Sequence, residues 1–230
     1  MKKIIIFFGA GISAESGLKT FRDSDGLWEN YNIIDVATPE AWKKDPELVL
    51  DFYNLRRKQV IDSQPNNAHK SLVKLENNYD LHIITQNIDN LHERAGSSNV
   101  LHLHGEILKA RSTINNNTFN INGSELNIGD HCEKGHQLRP DVVWFGEAVP
   151  NMTLAETLCR NADILIIIGT SLTVYPAANI IDFVPEECEK YMIDPNEISL
   201  NDIKNLTFIQ KKASIGIPIL ANFLLKKDII

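Results

Sequence analysis

Six short apolar runs punctuate the chain: Ile4 to Phe8, Leu81 to Thr85, Val100 to Leu103, Ile164 to Ile168, Tyr191 to Ile193 and Leu206 to Ile209. Runs of Ile and Leu without polar alternation predict strands covered on both faces, as in a buried parallel sheet. Helical spacing fills several of the gaps. Leu72 and Leu75 share a face over 68–76, 153–160 follows an Asn151 able to cap it, and Ile217, Leu220, Ala221 and Leu224 recur near the C-terminus. Pro218 in that last segment is tolerable only in a first turn. Strands alternating with helices predict an α/β fold, a Rossmann-like doubly wound parallel sheet.

Two stretches break the alternation. Residues 31–65 read as helices, and 106–141 are polar and turn-rich, with six asparagines between Asn115 and Asn127. Together they predict a small domain inserted twice into a large one made of 1–30, 66–105 and 142–230. The cleft between the two is the expected ligand site, since open α/β sheets bind ligands beyond the C-terminal strand ends.

Composition narrows the function classes. Apolar residues make up 43% and charged residues 23%, ordinary for a globular chain able to bury a core. The net charge of −7 argues against a phosphate-tracking nucleic-acid binder. No apolar run approaches the roughly 18 residues of a membrane span, and the N-terminal run is too short for a signal core. The three cysteines, Cys132, Cys159 and Cys188, are widely spaced and odd in number, which fits a reducing compartment. A cytoplasmic monomer without membrane or nucleic-acid partners is expected, and the short termini suggest a minimal unit without an appended targeting module.

Candidate chemistry gathers at strand ends. Gly9-Ala10-Gly11 follows the first strand, where glycines let backbone N–H groups approach a pyrophosphate. A tight turn with no ligand is the plainer reading. No second strand ending in an acid follows, which disfavours an ordinary dehydrogenase. Instead Phe21 and Arg22 lie in a polar loop, where they could stack on a flat ring and meet a phosphate, or Arg22 could simply pair with Asp23 or Asp25. Thr85-Gln86-Asn87-Ile88-Asp89-Asn90 places amides and a carboxylate where ribose hydroxyls or a carboxamide could be held; Asp89 or Asn90 could equally cap a helix. His102 and His104 share one face of a strand, and an imidazole beside Gly105 suits a general base, a surface histidine pair being the plainer alternative. Gly169-Thr170-Ser171 makes a third polar strand end.

These blocks, with Ser16-Gly17, Gly26-Leu27-Trp28 and Val143-Trp144-Phe145-Gly146-Glu147, resemble the sirtuin family of NAD-dependent protein deacylases along almost the whole chain. The resemblance implies NAD as cofactor and acylated lysine side chains of proteins as substrate. It implies that His104 is the catalytic histidine, with Asn87 and Asp89 beside it. Gly9, Ala10, Gly11, Ser13, Gln86, Ile88, Gly169, Thr170 and Ser171 would line the cofactor pocket, with Phe21, Arg22 and Trp28 around a cofactor loop and Ala213 near the adenine. Asp194 stands where the family often has an Asn. Val143 to Gly146 would be an extended segment pairing with the substrate peptide by strand addition. In the implied mechanism the acyl oxygen attacks the ribose carbon bearing nicotinamide, which departs; His104 takes a proton from a ribose hydroxyl, that hydroxyl attacks the imidate carbon, and water completes the reaction to free lysine and O-acyl-ADP-ribose. Mono-ADP-ribosyl transfer on the same scaffold, or a non-catalytic NAD or ADP-ribose sensor, are the alternatives.

Two finer expectations follow. Tyr53 and Arg56 are three apart on a helical segment and together suit a carboxylate, although Arg57 and Lys58 beside them also suit a basic exposed face. The pair, with small Ala14, resembles the subgroup that removes succinyl and malonyl groups. Most sirtuins carry a four-cysteine zinc site, but only Cys132, with His131 and His136, lies between His104 and Trp144, and Ser112 stands about where the first cysteine would be. No structural metal is expected.

Overall fold

The computed structural model describes residues 1–19, 27–28, 31–170, 172, 175–196 and 203–227. In chain order the elements are β1 (Lys3–Phe8), α1 (Gly11–Ala14), β2 (Leu27–Trp28), β3 (Tyr31–Asn32), α2 (Ile33–Val36), α3 (Pro39–Lys44), α4 (Pro46–Asp62), α5 (Asn67–Val73), β4 (Asp80–Thr85), α6 (Leu91–Ala95), β5 (Val100–His102), β6 (Gly105–Ser112), β7 (Thr118–Asn120), β8 (Leu138–Val142), α7 (Met152–Cys159), β9 (Ile164–Ile168), a 3-10 helix (Ala177–Phe183), β10 (Glu189–Asp194), β11 (Leu206–Gln210) and α8 (Ala213–Lys227). All six apolar runs form strands of one parallel sheet, ordered β11-β10-β9-β1-β4-β5.

The apolar runs are unalternated because both faces of this sheet are covered. Ile4, Ile6 and Phe8 of β1 pack with Leu72 of α5 and Leu220 and Leu224 of α8. Ile5 and Phe7 pack the other way, against Ala155 and Cys159 of α7 and Ile180 of the 3-10 helix. The chain runs outward from β1 through β4 to β5, then returns to the other side of β1 with β9. That reversal makes the C-terminal ends of β1 and β9 a topological switch point, where doubly wound sheets open a ligand crevice.

The polar stretch folds into a second sheet, three antiparallel strands ordered β7-β6-β8. The sequence reading of 106–141 as turn-rich misses these strands. Ile107, Val142 and Trp144 pack with Val36, Val49 and Phe52 of the helical stretch, and Leu50, Ala110 and Leu126 form a further small cluster.

Two helix expectations are corrected. α8 begins at Ala213, so Pro218 lies inside the helix rather than in its first turn. The earlier start is held from outside: the Glu15 carboxylate accepts hydrogen bonds from the Ser214 N–H and hydroxyl. Asn151 does precede α7 but makes no cap with its side chain. Its amide donates instead to the His102 carbonyl at 2.7 Å.

Candidate active site

One cavity of about 710 Å³ opens at the switch point and collects residues from five strand ends. Gly9, Ala10, Gly11, Ser13 and Ala14 follow β1, Gln86 to Asp89 follow β4, and His104 follows β5. Gly169 and Thr170 follow β9, Asp194 closes β10, and Ala213 starts α8. Tyr53 and Arg56 of α4 and the segment 142–147 complete the wall from the side of the small sheet. The expectations on Phe21, Arg22 and Ser171, and on the Trp28 side chain, lie outside the described residues.

The glycine turn lines the cavity and also has a packing role of its own. Gly9 N–H donates to Ile168 O and Gly11 N–H to Gly169 O, both at 3.0 Å, so these donors already serve the β1–β9 junction. A Cβ on Gly9 would lie 2.6 Å from Gly169 O, and one on Gly11 would lie 2.7 Å from Gly169 Cα. The glycines are therefore required for backbone-to-backbone approach.

The loop after β4 is tied to that turn. Asn87 donates from Nδ2 to Gly9 O at 3.1 Å and to Ser13 Oγ at 3.0 Å, and Ser13 Oγ donates to Asp89 Oδ2 at 2.8 Å. Both donors of the Asn87 amide are taken, so Oδ1 is what it offers the cavity. Asp89 also accepts from Leu91 N at 3.1 Å, so a helix-starting bond and a place on the cavity wall coexist in one carboxylate. Burial pushes the Asp89 carboxyl above its ordinary range, against the Ser13 and Leu91 hydrogen bonds that favour its charge.

The two histidines hold this loop from the next strand. His102 Nδ1 lies 2.8 Å from Asn87 O and His104 Nδ1 lies 3.1 Å from Gln86 O. A carbonyl only accepts, so the Nδ1 proton of His104 is fixed and Nε2 is left as its basic atom. Burial lowers the His104 pKa, more than the Gln86 carbonyl raises it, which favours the neutral ring. His102 is no surface residue: it is buried, with Nε2 2.8 Å from Glu93. Burial works against its charge, yet the Glu93 hydrogen bond and charge raise its pKa. It therefore braces the loop and does not line the cavity.

The far wall also departs from the sequence reading. β8 ends at Val142, and 145–146 form a turn, with Glu147 N–H donating to Trp144 O at 3.0 Å and Gly146 at φ +89°. Phe145 is half-exposed, but Trp144 is 2% exposed and packs into the core. Arg57 overturns the exposed basic face. It is fully buried, donating from Nε to Ile107 O at 2.7 Å and from a terminal nitrogen to Ser124 O at 2.9 Å. Sequence reasoning misses Asn66, whose amide holds α1 through Ile12 O and Ser16 Oγ, and the brace of Arg139 and Arg111 on Glu147. Such contacts span long sequence separations and leave no local pattern.

Comparison with known proteins decides the family. The Sir2 family model matches residues 9–176, taking in the glycine turn, the loop after β4, His104 and the turn after Val142. The chain belongs to the Sir2 family. A Helicobacter pylori relative named "NAD-dependent protein deacylase" is 53% identical over 93% of this chain and 93% of its own length. One of the same name from Bacteroides thetaiotaomicron is 46% identical over 98% of this chain and 99% of its own. A Sir2 homologue solved as an NAD complex matches with a TM-score of 0.89 and 40% identity, covering 98% of this chain and 90% of that one. A Sir2 variant solved with a deacetylated p53 peptide and an acetyl ADP-ribose matches at 0.80 with 27% identity, covering 98% and 93%.

Enzymes of the family use NAD, and the cavity's chemistry fits it. Its volume is within the range of about 300–1,000 Å³ common for small-molecule sites. Buried Asn87, Asp89 and Ser13 form a preordered polar cluster on one side, with the neutral imidazole of His104 beside it. No helix of the described residues is long and apolar enough to cross a membrane.

Proposed function

We propose that this Sir2-family chain removes acyl groups from protein lysines in an NAD-dependent reaction, favouring acyl groups that end in a carboxylate. The observation that carries the reading is the His104 hydrogen bond to Gln86 O, which aims a neutral Nε2 into the same cavity as the Asn87–Asp89 cluster. Bound NAD supplies an electrophilic sugar carbon and nicotinamide as the leaving group. His104 Nε2 takes the proton of a ribose hydroxyl, and the Gln86 carbonyl stabilises the imidazolium that forms. Asn87 Oδ1 and Asp89 orient the hydroxyls and the carboxamide of the cofactor, Gly169 and Thr170 meet its adenosine half, and the segment 143–146 receives the substrate peptide. The division into a large unit and a small one, with the cavity between them, belongs to the same reading.

Tyr53 and Arg56 line one wall and share a face of α4. A phenol and a guanidinium together recognise a carboxylate, the latter in a bidentate manner. Mass spectrometry of acetyl- and succinyl-lysine peptides incubated with NAD tests both levels of the proposal. Wild type is expected to yield free lysine from both, faster from succinyl-lysine. Arg56→Met is expected to lower kcat/KM for the succinyl peptide by about 10- to 100-fold, with a much smaller change for acetyl. Equal losses would sink the carboxylate role, and nicotinamide release without deacylated peptide would point to ADP-ribosyl transfer.

The reading includes no structural zinc. Ser112 and Cys132 do meet, Oγ to Sγ 3.5 Å, but as one thiol and one hydroxyl. Among the described residues no group of three or more His, Cys, Asp or Glu side chains is placed to hold a metal, whereas a tetrahedral site needs four ligands. Elemental analysis of the dialysed protein is expected to find well under one zinc per chain, and a stoichiometric tightly held zinc would overturn this.

A further inference from the structure

Trp144 joins the substrate side of the cavity to the core and cannot turn. Its ring lies against Trp42, centroids 5.8 Å apart, and under the Arg139 guanidinium, 3.5 Å from the ring centroid. Arg139 is itself fixed by two hydrogen bonds to the Glu147 carboxylate, both 2.8 Å, and Glu147 accepts the Trp144 backbone N–H at 2.8 Å. The one polar atom of the indole, Nε1, donates to Tyr53 Oη at 3.0 Å.

This bond has a direction. An indole N–H can only donate, so the phenol oxygen is held as an acceptor and its own proton must go elsewhere. Tyr53 is fully buried yet on the cavity wall, and among the described residues nothing accepts that proton. Arg56, one helical turn on, carries only donor groups, one of which already serves Gln59 Oε1 at 2.9 Å.

We propose that Trp144 is a positioning residue that sets the hydrogen-bond polarity of the acyl end of the cavity, committing Tyr53 to donate. With Arg56, that end takes acyl chains tipped by an acceptor oxygen: a carboxylate before an amide, and an amide before a methyl group. This rests on the carboxylate-pocket reading above and adds the residue that enforces it. Burial raises the Tyr53 pKa, more than the Trp144 bond lowers it, so the phenol keeps the proton it donates.

Peptides carrying succinyl-, succinamyl- and butyryl-lysine share a four-carbon acyl chain and differ in the group at its end. In wild type KM is expected to rise in that order. Trp144→Phe keeps a ring under Arg139 but removes the donor; it is expected to raise KM for succinyl-lysine about tenfold with kcat nearly unchanged, and to narrow the amide's advantage over the methyl. In a Tyr53→Phe background the same change should add nothing, as expected for residues acting through one bond. Equal effects on all three peptides, or additive effects in the double variant, would overturn the inference. Should Trp144→Phe not fold, the wild-type order decides, and an amide bound no better than a methyl overturns it. A wild type indifferent to succinyl against butyryl defeats the underlying pocket reading, whereas a succinyl preference untouched by Trp144→Phe defeats this inference alone.

Discussion

His104→Ala is expected to lose about 10²- to 10⁴-fold in turnover, the usual share of a general base. Its NAD-induced rise in melting temperature should persist, because the side chains that tie the loop after β4 to the glycine turn are Asn87, Ser13 and Asp89. The pH profile carries a second sign. A base works only when unprotonated, so activity falls as pH drops through its pKa. Burial lowers the His104 pKa below the ordinary 6.5, and the acid limb of kcat/KM should accordingly lie below that value. Steady-state kinetics and thermal shift with and without NAD check these outcomes. Normal turnover in the variant would refute the role, and lost NAD stabilisation would make the residue part of the binding site.

Gly105→Ala should be among the most damaging single-methyl substitutions. Gly105 sits at φ +80°, and an added Cβ would lie 2.1 Å from the Asp141 carbonyl oxygen of the paired strand. That oxygen belongs to backbone, held close by the pairing of Gly105 with Val142 and by Val143 N–H on His104 O at 2.9 Å. The strained φ costs about 1–3 kcal/mol and the clash about 1–3 more. Together they remove much of the 5–15 kcal/mol typical of a domain. Gly123→Ala separates the two terms, since Gly123 has φ +87° but nothing within 4 Å of a Cβ. Urea unfolding should give a loss at Gly105 at least twice that at Gly123; equal losses would mean that β6 and β8 part readily. A folded fraction of Gly105→Ala should also turn over slowly, because the clash bears on the residue next to His104, the proposed base.

Reading the chain alone works where a physical signal is local. The sheet is legible because each strand is a short run of Ile and Leu, and only burial on both faces accounts for such runs. The positions lining the cavity are legible because doubly wound sheets build sites at strand ends and polar residues there are conspicuous, as at Gln86 to Asp89. The extent of α8 is not local: it depends on Glu15, about two hundred residues away, supplying the partner for its first turn. β6 to β8 escape notice because a small sheet with mixed burial lacks a clean two-residue period.

By its sequence alone this protein is committed to a parallel α/β sheet, polar residues at its strand ends and the blocks that resemble the Sir2 family, since periodicity and motif spacing are properties of the chain itself. Tertiary structure alone decides that the glycine turn serves backbone packing, that His102 is a buried brace while its neighbour His104 faces the cavity, that Arg57 is buried, and that Trp144 reaches across to Tyr53. Each of those outcomes depends on which distant carbonyl, carboxylate or ring lies within about 3–4 Å of a side chain, and no spacing along the sequence encodes such a distance.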